Sequence, residues 1–212
     1  MALTTIGKKE IWNYWAPRYE KLWSQHFALG PSRTLIHDHL AASGFQPTRI
    51  LDIGCGVGQL AFELATRWPQ AEVVAADYSA GMITRAKKDY AAPNIRHVHG
   101  SLENIPYQRP FDLIVSTNSF PYFPDKDLAA RQMWKLLAPG GRTLIVQANH
   151  NNFYDALWLI FVKLTVSQAE YLSVEDLSQV LQEAGFTIGK VKPIKTAFFI
   201  PSVFLVEGVK DG

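Results

Sequence analysis

With 212 residues, the chain is long enough to close one full hydrophobic core, and 21 Lys and Arg against 19 Asp and Glu leave a net charge of only +2. That balance excludes the strongly basic footprint of a protein that grips many phosphates, so no nucleic acid is expected as a partner. A single cysteine, Cys55, excludes an internal disulfide and fits a reducing, cytoplasmic compartment.

The first segment, 1–44, reads as an N-terminal helical lid. Trp12, Trp15, Tyr19, Leu22, Trp23 and Phe27 fall near one helical face, and Pro17 opens a second helix after a break. The stretch "MALTTIGKKEIWNYW" has no uninterrupted apolar core of the kind a signal peptide needs. Strands are expected at "RILDI" (49–53), "EVVAAD" (72–77), "IRHVH" (95–99), "FDLIVST" (111–117) and "RTLIVQA" (142–148), with helical patterns between them. Strand and helix taking turns in this way predict an α/β domain, a parallel sheet with helices on both faces.

After the fifth strand the rhythm changes. An insert over 149–172 separates it from a helix at "DLSQVLQEAGF" that Gly185 closes. The insert's longest apolar run, 156–166, is interrupted by Lys163 and is too short for the roughly 18 residues that cross a bilayer. Two β-rich runs then follow in close succession and read as a hairpin, so the last strand is expected to be antiparallel. The whole of 1–212 is taken as one domain, with the lid and the insert covering the substrate site.

The chemistry concentrates at "RILDIGCGVGQLAFELA". Gly54, Gly56 and Gly58 allow a sharp turn and let a ligand lie against bare backbone. A dinucleotide fingerprint is G-x-G-x-x-G; here the spacing is G-x-G-x-G with Gln59 in the sixth place, and Asp52 just ahead would repel a phosphate. The carboxylate favours a ligand with an ammonium or sulfonium group. Asp77 ends the second strand at a distance that suits hydrogen bonds to both hydroxyls of a ribose. No Walker lysine motif is present, which disfavours ATP.

Five ordered stretches, "ILDIGCGVGQL", "VVAADYSAGMITRAK", "HGSLENIPY", "FDLIVSTNSFPYFPD" and "LAPGGRTLIV", resemble the successive motifs of class I S-adenosylmethionine-dependent methyltransferases, within the ubiquinone/menaquinone-methyltransferase-like group. The resemblance implies a Rossmann-like three-layer sandwich whose seven-stranded, mostly parallel sheet has an antiparallel last strand. It implies S-adenosylmethionine as cofactor and S-adenosylhomocysteine as product. Asp52, Gly54, Cys55, Gly56 and Gly58 would hold the methionine moiety, Asp77 the ribose, and Tyr78 and Met82 the adenine, with Leu102 and Glu103 beside it. Asn118 would close over the methionine end, and Tyr14 and Tyr19 take the places of lid tyrosines that reach the cofactor. Ser101 departs from the pattern, standing where the family commonly has an aspartate that accepts from the adenine amino group.

Methyl transfer from a sulfonium needs a positioned nucleophile more than a dedicated catalyst. Tyr122 after the fourth strand, and His150 and Tyr154 after the fifth, are the candidate catalytic residues; His150, in an asparagine-rich loop, reads equally well as a solvated turn residue. Phe120 is expected as a second wall beside Tyr122. His37, His39, His97 and His99 alternate in pairs without a carboxylate trio, so no metal is expected. The acceptor is expected to be a small, apolar or aromatic molecule. Lys8, Lys9, Arg18 and Lys21 beside the lid aromatics keep open a phospholipid or quinone methyltransferase with peripheral membrane contact. A nicotinamide-dependent oxidoreductase and a cofactor-binding protein without turnover are the other readings, and the oligomeric state is left open.

Overall fold

The computed structural model describes residues 12, 13, 16, 19, 29–105, 109–148, 169–194 and 202–212. The apolar runs form parallel strands β1 (Arg49–Ile53), β2 (Glu72–Asp77), β3 (Ile95–His99), β4 (Phe111–Thr117) and β5 (Leu137–Ala148). With β6 (Thr187–Ile194) and β7 (Val203–Val209) they make one seven-stranded sheet of order β3-β2-β1-β4-β5-β7-β6. β7 runs antiparallel to both of its neighbours, as the closely spaced C-terminal runs predict.

Among the described residues five helices cover the sheet: α1 (Gly30–Ser43), α2 (Gln59–Arg67), α3 (Ala80–Asp89), α4 (Lys126–Leu136) and α5 (Val174–Glu183). Side chains alternate across each strand, so β1 sends Leu51 and Ile53 to one face and Ile50 to the other. Leu51 and Ile53 join Val74, Ile114 and Ile145 beneath Met133 of α4 and Leu177 and Leu181 of α5. Ile50 joins Val73, Leu113 and Leu144 beneath Ile36 and Leu40 of α1 and Leu60 and Leu64 of α2. Each such aliphatic side chain, taken fully out of water, contributes about 1.5–3 kcal/mol, which is what commits β1, buried at all five positions, to the centre of the sheet.

α1 lies within the segment expected as a lid, and it belongs to this helical layer, packed across β5 and β7. His39 on α1 is buried, with Nε2 3.2 Å from Glu207 Oε1 of β7, and Arg142 of β5 reaches the same oxygen at 3.0 Å. The described part of the N-terminal cover that reaches the strand ends is residues 12, 13, 16 and 19. Among the described residues no helix is long and apolar enough to cross a membrane. The insert 149–168, and residues 8, 9, 18 and 21 on which a membrane contact would rest, lie outside the described residues.

Candidate functional site

The strand order reverses between β1 and β4, and in an open α/β sheet that is where a crevice forms beyond the carboxyl ends of the strands. A cavity of about 410 Å³ opens there, within the range of small-molecule sites. Its floor is the turn after β1. Gly54, Gly56 and Gly58 have φ of +72°, +55° and +91°, a region costly for residues with a Cβ, and the Gly54 and Cys55 amides both donate to the Ala76 carbonyl of β2.

Asp77, at the end of β2, accepts from the Gly56 amide at 2.9 Å and from the Ser79 amide at 2.8 Å, and lines the cavity beside Tyr78 and Met82. Burial raises its pKa, and those two hydrogen bonds offset part of the rise. Asp52 behaves differently. It points to the α1–α2 face, is 1% exposed, and lines a separate chamber of about 30 Å³ with Arg33, Cys55, Gln59 and Thr117. Burial first, and the Asp77 charge second, push its carboxyl up to about 7, against a hydrogen bond from the backbone of Ala61 in the first turn of α2. Asp52 Oδ2 and Thr117 Oγ1 are both buried without a hydrogen-bond partner. A buried acceptor left in that state costs about 1–3 kcal/mol, so the chamber is built for a donor that a ligand or water brings.

The roof comes from the N-terminal segment. Asn13 Oδ1 accepts from the Gly81 amide at 2.9 Å and from the Ser79 hydroxyl at 2.7 Å, at the start of α3. Ala16 packs with Val57 and Met82, and Tyr19 lies over Gly56 and lines both the cavity and the small chamber. The far wall follows β4. Ser119 Oγ donates to the Ile53 carbonyl at 2.8 Å and sits 2.7 Å from Ser116 Oγ, filling the space where a Cβ on Gly54 would stand. Asn118, at φ +55°, turns the chain back and donates from Nδ2 to Ser32 Oγ of α1 at 3.1 Å. Tyr122 completes the wall. Burial and a hydrogen bond to Tyr171 raise its pKa, so its hydroxyl stays protonated and acts as a donor.

Residues 50–141 match the family described as "Methyltransferase domain". A malonyl-[acyl-carrier protein] O-methyltransferase of Priestia megaterium is 28% identical over 170 residues, 73% of this chain and 62% of that one. A demethylmenaquinone methyltransferase of Deinococcus radiodurans is 33% identical over 136 residues, 62% of this chain and 56% of that one. The chain is similar to the class I S-adenosylmethionine-dependent methyltransferases. It spans only about six tenths of the length of those two curated relatives. Among solved structures, the N-methyltransferase NodS of Bradyrhizobium japonicum in complex with S-adenosylhomocysteine superposes at TM-score 0.76 with 18% identity, covering 98% of this chain and 100% of that one. A putative methyltransferase in complex with the Haloferax volcanii activator Trm112 gives 0.80 with 16% identity, covering 97% and 98%. At those identities the likeness establishes the fold alone, the three-layer arrangement that the motifs imply.

The fold gathers most of the expected site residues at one place. Tyr19, Gly54, Gly56, Asp77, Tyr78, Met82, Ser101, Glu103, Asn118 and Tyr122 line the cavity, and Asp52 and Cys55 line the chamber behind it. Gly58 and Leu102 line neither. A Cβ on Gly58 would lie 3.1 Å from Ala86 Cβ, so that glycine lets α2 and α3 approach each other, and Leu102 is a core residue. Phe120 is likewise core, fully buried, and the wall beside Tyr122 is Phe123. Tyr14, His150 and Tyr154 lie outside the described residues. Among the described residues no group of three His, Cys, Asp or Glu could hold a metal. Sequence reasoning passed over Arg33, Asn13, Thr117 and Tyr171; only Asn13 carried a signal, as a short polar residue of the type that caps helices.

Proposed function

We propose that this chain is a methyltransferase that binds S-adenosylmethionine across the two chambers and methylates a small, apolar or aromatic molecule by in-line transfer. The observation that carries the reading is the orphaned Asp52 Oδ2, buried in a chamber shared with Arg33 and separated from the apolar cavity by the bare backbone of Gly54. A carboxylate and a guanidinium side by side suit the ammonium and carboxylate of an amino-acid end. Asp77 suits a ribose diol, Tyr78 and Met82 the faces of a purine, and Ser101 and Glu103 its exocyclic amine.

S-Adenosylmethionine bound there supplies an activated methyl group on a sulfonium sulfur and leaves as S-adenosylhomocysteine. The chain's own task is to align and to dry the site. Trp12, Tyr122 and Phe123 wall the acceptor end with apolar surface, and the Asn13-anchored roof excludes water. The Tyr19 and Tyr78 hydroxyls stay protonated at neutral pH, and the Tyr122 hydroxyl donates to Tyr171, which leaves its oxygen free to accept a hydrogen bond from the methyl acceptor. The two relatives act on malonyl-[acyl-carrier protein] and on demethylmenaquinone by name, and the second of these accords with an apolar acceptor.

Titration calorimetry with S-adenosylhomocysteine and with NADH tests the reading. Binding of the first and not the second is expected, with affinity at least tenfold weaker for Asp52→Ala at unchanged circular dichroism. Preference for NADH, or unaltered affinity in the variant, would overturn it. Methyl transfer from labelled cofactor to a panel of apolar acceptors then separates an enzyme from a binding protein.

A further inference from the structure

The acceptor end of the cavity is made of aromatic rings set nearly at right angles. Trp12 meets Tyr122 edge to face, with centroids 5.2 Å apart and planes at 90°, and meets Tyr19 at 6.4 Å and 70°. In each such pair the edge of one ring meets the face of the other, and the ring faces left open to the cavity carry the negative potential of their quadrupoles. The charged residues that line the same cavity, Asp77 and Glu103, stand at the nucleoside end, and no described lining residue of it is Lys, Arg or His. Arg33, in the neighbouring chamber, is engaged by Glu63 at 2.9 Å and by Gln59 at 3.3 Å.

The titratable groups report the same potential. Burial and then the Asp77 charge raise the Tyr19 hydroxyl, and burial and then Asp77 raise Tyr78. At the acceptor end a carboxylate or phosphate would meet aromatic rings and no described cation. A nitrogen that carries positive charge, or acquires it during reaction, would be drawn in.

We propose that the acceptor is an apolar or aromatic amine whose nitrogen sits in the corner formed by Trp12, Tyr19 and Tyr122; this rests on the methyl transfer proposed above. The lone pair of the neutral amine forms the new N–C bond as the C–S bond breaks, and the electron pair of that bond stays on sulfur. Positive charge thus passes from sulfur to nitrogen, and the surplus N–H proton is then lost to water. Because one cation is exchanged for another, the aromatic corner faces positive charge before and after the step. An anionic acceptor would cancel that charge and leave the corner nothing to stabilise. Tyr171 acts as a positioning residue, since its hydrogen bond with Tyr122 fixes that ring.

The test uses the full chain saturated with S-adenosylhomocysteine, so that no sulfonium competes for the corner. Choline and its uncharged isostere 3,3-dimethylbutan-1-ol are titrated by calorimetry. Choline is expected to bind about tenfold tighter than the isostere, the range of a desolvated cation–π contact. Tyr122→Leu is expected to erase the preference and Tyr122→Phe to keep it, with retained S-adenosylhomocysteine binding showing that both variants are folded. Equal affinities, a tighter isostere, or no binding of choline overturns the amine corner and leaves methyl transfer standing. Failure of S-adenosylhomocysteine itself to bind would overturn the reading beneath it.

Discussion

The side-chain carbonyl of Asn13 and the amide of Gly81 lie 2.9 Å apart, a bond across 68 residues of sequence that pins the roof to the first turn of α3. Gly81 is what permits it: a Cβ there would stand 3.0 Å from Asn13 Oδ1 and 3.2 Å from its Cα. Two hydrogen bonds at about 0.5–1.5 kcal/mol each give Asn13→Ala an expected release of S-adenosylhomocysteine at least about fivefold faster. Gly81→Ala is expected to do the same by crowding. Stopped-flow fluorescence checks both, and a release rate within twofold of the parent would deny the roof this anchor.

Asp52 makes cofactor affinity depend on pH. Its folded pKa, about 7, lies above the usual 3.8, so the free protein takes up a proton on folding and loses stability as pH rises from about 4 to about 7. A cationic ligand needs the ionised form. Affinity is expected to rise with pH to about 7 and then level off, with about a fivefold gain between pH 6 and 7 and nearly one proton released. Calorimetry in two buffers of different ionisation enthalpy measures both; a flat profile would place the cation elsewhere.

Glu207 works in the opposite sense. Burial alone would raise its pKa, but the hydrogen bond from His39, the Lys190 amide and the charges of His39 and Arg142 outweigh burial and hold it at about 2. The stabilisation is complete above about pH 4.5 and is lost as pH falls toward 2. Removing one partner of a buried pair costs about 3 kcal/mol, so Glu207→Gln is expected to lower Tm at pH 7 by roughly 6–12 °C. Its melting temperature should also vary less than the parent's between pH 4.5 and 2. Thermal melts across that range would expose an equal acid sensitivity in both, if Glu207 were idle.

Much of the fold could be read in advance because its signals are local. β1 through β4 begin and end where their apolar runs do, with Asp77 closing β2. The site was legible where it rode on those strand ends, at Gly54, Gly56, Asp77 and Asn118. It was opaque where tertiary contact decides. Arg33 comes from a helix whose place beside Asp52 depends on how α1 crosses β5 and β7. Gly58 carries the motif yet serves helix packing. Phe120 stands in a polar stretch yet turns inward on a short 3-10 turn between two cavity residues.

Gly54 offers a sharper test of the turn. A Cβ there would lie 2.3 Å from Ser119 Cβ, and φ of +72° costs a non-glycine residue a further 1–2 kcal/mol or so. Gly54→Ala is expected to lose detectable S-adenosylhomocysteine binding and several degrees of Tm. Adding Ser119→Gly is expected to recover part of the Tm, since it removes the clash and leaves the dihedral penalty. No recovery in the double variant would mean that the two residues do not compete for that space.

Because Tyr19 walls both the cavity and the chamber behind it, its ring is part of what keeps solvent from Asp52. Water at that carboxyl lowers the cost of ionising it, so the electrical character of the acid is tied to the packing of one phenol ring.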